Sequence, residues 1–97
     1  MYKNIFQVQN LDYNKIKVEY LTKHNFEIAT MGIEDLERFI LENYGTNNDW
    51  TVFYYRRGHD EYSKEIKRFE KYIYSLYGKI ITELREEIRT YFRQKYE

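Results

Sequence analysis

Residues 60–96 read DEYSKEIKRFEKYIYSLYGKIITELREEIRTYFRQKY, and the placement of their apolar side chains governs the reading of the whole chain. Ile66, Phe69, Ile73, Tyr77, Ile80, Leu84, Ile88 and Tyr91 recur in steps of three and four. The pattern repeats every eleven residues, about 3.67 per turn, which keeps the stripe on one face of a nearly straight helix. At about 1.5 Å per residue this helix would be roughly 55 Å long. A compact chain of this length has a radius of gyration near ~12.5 Å, hence a diameter of roughly 30 Å. About half of the helix should therefore project past its own body, and the eight-residue stripe is expected to serve as an oligomerisation seam.

Gly78 disfavours a helix by ~1 kcal/mol relative to alanine and could mark a turn. The apolar period nevertheless passes through it in phase, and Tyr77, Ile80 and Ile81 around it are apolar where a helical hairpin wants a polar loop. One continuous helix is expected.

Upstream, residues 15–22 alternate, with Ile16, Val18 and Tyr20 on one side and Lys15, Lys17 and Glu19 on the other, the pattern of a strand. Residues 3–9, with Phe6 and Val8 in phase, predict a strand before it, joined through Asn10-Leu11-Asp12-Tyr13. Residues 26–30, with Phe26 and Ile28, predict a third strand after a turn at Lys23-His24-Asn25. The period then changes over 33–44, where Ile33, Leu36, Ile40 and Tyr44 share a helical face, and Gly45 stands where a left-handed terminal residue belongs. Thr46-Asn47-Asn48-Asp49 reads as a polar loop, and residues 50–55 as a fourth strand of aromatic and β-branched side chains. Arg56-Arg57-Gly58-His59 would turn into the long helix, with Asp60 as its N-cap. The expected fold is one α+β domain of order βββαβα: a three-stranded antiparallel meander, a short helix, a fourth strand and the long C-terminal helix.

Lys and Arg together number 16, as do Asp and Glu, so net charge gives no global attraction to nucleic acid or to an anionic membrane. The halves differ: residues 1–50 carry five basic and eight acidic side chains, residues 51–97 eleven and eight. Without cysteine, thiolate metal sites and disulfides are excluded, and His24 and His59 are the only imidazoles, so neither a metal nor a cofactor is expected. There is no apolar run of membrane-spanning length and no N-terminal h-region, so a soluble, cytoplasmic chain is expected, inside the host cell if the source is viral. Phe, Tyr, Met, Ile, Asn and Lys total 46 residues against 12 for Gly, Ala, Arg and Pro, the signature of an AT-rich genome such as many phages and viruses carry.

A second line on the long helix, Lys64, Arg68, Lys71, Ser75, Gly78, Thr82, Arg85 and Arg89, is basic at both ends and small in the middle. It suits a solvated face, with Glu65 and Glu86 three residues before Arg68 and Arg89, or a shallow positive groove for an acidic protein surface or a phosphate backbone. Arg56 and Arg57, at a strand-to-helix junction, could bind an anion, and His59 beside Asp60 and Glu61 could in principle act as an acid or base. Ser63 and Ser75 lie in no nucleophile elbow, and there is no phosphate-binding glycine loop. Phe53, Tyr54 and Tyr55 beside two arginines could stack bases on a sheet face, against the plainer reading of core packing.

The expectation is a non-enzymatic homodimer that binds a host or viral protein, such as a viral or phage accessory protein inhibiting a host factor. Its partner-binding residues would be Arg56, Arg57, Lys64, Arg68, Lys71, Arg85 and Arg89. The alternatives are a dimeric nucleic-acid-binding protein using the same basic face, and a phosphate-ester enzyme built on His59.

Overall fold

The computed structural model describes residues 6–8, 10–54 and 63–96, and over these the chain is helical with no strand. The elements are α1 (Tyr13–Lys23), a 3-10 turn (Ile28–Thr30), α2 (Ile33–Tyr44), α3 (Asn47–Tyr54) and α4 (Ser63–Tyr96). The expected α+β fold with its meander is therefore replaced by an all-helical one.

The correction begins at α1. Ile16 and Tyr20 lie on one face in either period, so the neighbours decide: Leu21 is buried with them and Val18 is exposed, as a helix requires and a strand forbids. Asp12 starts the helix by accepting a hydrogen bond from the Lys15 N–H. The helix ends with Asn25 and Phe26 both at positive φ and the Phe26 N–H donating to the Leu21 carbonyl, so the predicted third strand is a helix terminus followed by a 3-10 turn. Tyr20 then reaches across to donate to the Gly32 carbonyl at 2.8 Å and lays its ring 5.8 Å from Phe39 of α2.

The predicted fourth strand is α3. Thr46 and Asp49 form a reciprocal cap: the Thr46 hydroxyl accepts from the Asp49 N–H at 3.2 Å and the Asp49 carboxylate accepts from the Thr46 N–H at 2.7 Å. Val52 is buried by the turn this starts, while Tyr54 is exposed on the far side. Asp49 itself is fully buried, and its second oxygen accepts from the Gln7 N–H at 2.5 Å. The predicted first strand is, over its described residues 6–8, an extended strap held by that bond. Phe6 and Val8 point inward as alternation demands, and the Phe6 ring stacks on Phe69 at 4.6 Å.

α2 is the helix expected, burying Leu36, Phe39, Ile40 and Leu41, and it packs on both α1 and α4. Gly45 does not adopt the left-handed conformation expected of it; its φ is −79°, and glycine is needed because a Cβ there would sit 2.4 Å from the Leu41 carbonyl oxygen. α4 runs unbroken through Gly78, where an added Cβ would meet nothing within 4 Å. One substitution therefore carries opposite signs at two sites. Gly78→Ala is expected to add up to ~1 kcal/mol by reducing the freedom of the unfolded chain, and Gly45→Ala to cost roughly 1–3 kcal/mol through overpacking. Urea unfolding of the two variants checks both, and a loss at Gly78 would place unseen packing against that face.

The radius of gyration is 15.9 Å and the long dimension 59 Å, with cross-section 22 × 19 Å. The length belongs to α4 alone, about 51 Å from end to end. Burial along it ends at Leu84, about two-thirds of the way from its start.

Candidate interaction surface

The eight-residue stripe of α4 divides at Leu84. Ile66, Phe69, Ile73, Ile80 and Leu84 are buried and Tyr77 half-buried, all packed within the chain's own core. Leu76 and Ile81, absent from the predicted stripe, are buried with them and widen the face. Ile88 and Tyr91 are exposed, as is every residue from 85 to 96.

A polar clamp marks the boundary. Glu83 accepts a 2.7 Å hydrogen bond from the Lys17 ammonium of α1, and the Lys79 ammonium sits 3.7 Å from the centre of the Tyr13 ring. The Lys17 bond holds the Glu83 carboxyl below the usual carboxylate range, and the same bond raises Lys17. Burial pushes the Tyr13 phenol up to about 12, with the neighbouring Glu83 adding to the effect, although the Tyr13 hydroxyl is not in hydrogen-bonding geometry with any acceptor. These contacts fasten the start of the last packed turn of α4 to α1.

Beyond the clamp the projecting end carries a cluster of large side chains. Ile88, Tyr91, Phe92 and Tyr96 are between 36% and 75% exposed. Tyr91 and Phe92 meet edge to face at 5.4 Å, Phe92 and Tyr96 lie parallel at 6.1 Å, and the Lys95 ammonium hangs 5.9 Å from Tyr91 and 5.6 Å from Tyr96. Tyrosine is among the side chains that dominate binding energy at interfaces. Phe92 and Tyr96 fell outside the expected stripe, because a strict eleven-residue period passes them by. On one flank, Glu83, Glu86, Glu87, Thr90, Tyr91 and Gln94 line a shallow depression.

The basic line is where the helical period puts it. Lys64, Arg68, Lys71, Ser75, Gly78, Thr82, Arg85 and Arg89 are all exposed, about 160° around the axis from the buried stripe, over roughly 37 Å. Arg68 is 3.0 Å from Glu65, one of the local pairs the spacing allowed. Arg56, Arg57 and the His59–Asp60–Glu61 cluster lie outside the described residues, as does Tyr55. Phe53 and Tyr54 belong to α3 and not to a sheet face; their rings pack on Trp50 at 5.8 and 5.6 Å.

His24 sets its ring edge-on against Tyr20, and among the described residues no three His, Cys, Asp or Glu side chains gather as a metal site. No described helix is long and apolar enough to cross a membrane. No protein-family model, curated protein or solved structure matches the chain.

Proposed function

We propose that the protein is a homodimeric binding module, assembled through the free end of α4, that presents the solvent side of the same helix to an acidic surface on a partner protein. The observation that supports this is the exposure of residues 85–96 together with what they carry: four large apolar or aromatic side chains on a helix end that, among the described residues, is exposed throughout. An exposed aromatic cluster costs solubility, and binding is what offsets that cost. The basic line supplies the complementary charge, since Lys64, Lys71, Arg85 and Arg89 stand clear of the core on a straight face.

Titration against duplex DNA and single-stranded RNA at two salt concentrations tests the choice of ligand. The expected result is no binding that weakens steeply with salt. A log-log salt slope of several units, flattened by about two in Arg85→Gln/Arg89→Gln, would replace the protein-binding reading with a nucleic-acid one. Affinity capture with the wild type and with Lys71→Glu/Arg85→Glu should then return a protein, rich in exposed Asp and Glu, that the charge-reversed variant loses.

A further inference from the structure

We draw no further inference here: the strongest candidate, the half-open groove between the extended strap of residues 6–8 and α4, lined by Phe6, Val8, Leu11 and Phe69, carries nothing because the charges at its rim, Glu65 and Arg68, are paired with each other and nothing in the structure shows what covers it.

Discussion

Replacing Asp49 by alanine is expected to destabilise the fold by about 3–5 kcal/mol, among the largest effects of any single polar substitution. The side chain is fully buried and accepts two backbone hydrogen bonds, from Gln7 at 2.5 Å and from Thr46 at 2.7 Å. Alanine leaves both N–H groups without that acceptor, at about 1–3 kcal/mol each, and removes half of the reciprocal cap that starts α3. Asp49→Asn keeps an acceptor oxygen but turns an NH2 toward the other donor, so its loss should be intermediate. Thr46→Val, which removes only the hydroxyl half of the cap, should cost about 1 kcal/mol. Urea unfolding of the three variants gives the order. A loss below 1 kcal/mol for Asp49→Ala would mean that water reaches those two donors and that the strap of residues 6–8 is not held by this carboxylate.

The second large effect is expected in alkali. Burial raises the phenol of Tyr20 from its ordinary 10 to about 12, and burial raises those of Tyr13 and Tyr44 as far, with Glu83 and Glu19 respectively assisting. A folded-state value above the unfolded one means that the native protein keeps protons that the unfolded chain releases. The stabilisation is therefore complete below about pH 10 and disappears as pH rises through about 12. A shift of that size on the fully buried Tyr20 corresponds to about 3 kcal/mol. Tyr13 and Tyr44 act in the same direction but are partly exposed, so solvent screening makes them smaller. Lys17, also raised, has the same sign; Glu83, lowered, acts at the other end of the scale, where stability is lost as pH falls below the ordinary carboxylate range. Stability should thus be level between about pH 5 and 10 and fall by about 3 kcal/mol or more by pH 12. Urea titrations across that range, with tyrosinate absorbance recorded on the native protein, measure it. Should all twelve tyrosines ionise together near pH 10 without unfolding, the burial of Tyr20 would be disproved.

What could be read from the chain depended on how many periods a segment obeyed. In α4 eight residues repeat over more than two eleven-residue cycles, and no strand can reproduce that spacing; α2 likewise has Ile33, Leu36, Ile40 and Tyr44 in helical phase. In α1 the residues Ile16 and Tyr20 satisfy both alternation and helical phase, and the β-branched Val18 tilts the count toward a strand although it is exposed. The decisive signals were short and polar. Asp12 three residues before Lys15, and Thr46 three before Asp49, are helix-start patterns, and each equally fits turn chemistry. The aromatic content of residues 50–55 favours a strand only when a sheet is present to pair with. At the projecting end, Ile88 and Tyr91 were legible as apolar and in phase, but their exposure depends on where the body stops, which is decided by α1 reaching no farther than Glu83 and Leu84.

The bond between Gln7 and Asp49 also has a meaning in time. It joins positions 42 residues apart, whereas the helices on either side of it form from neighbours in sequence. Bringing such distant positions together costs loop-closure entropy that local helix contacts do not, so docking of the strap is expected to follow helix formation. The strap's described hold includes two inward side chains, Phe6 and Val8, and the Gln7–Asp49 bond. The amide of Gln7 should then exchange with solvent through openings that leave α2 and α4 intact, and its rate sets the clock on which Phe69 is uncovered.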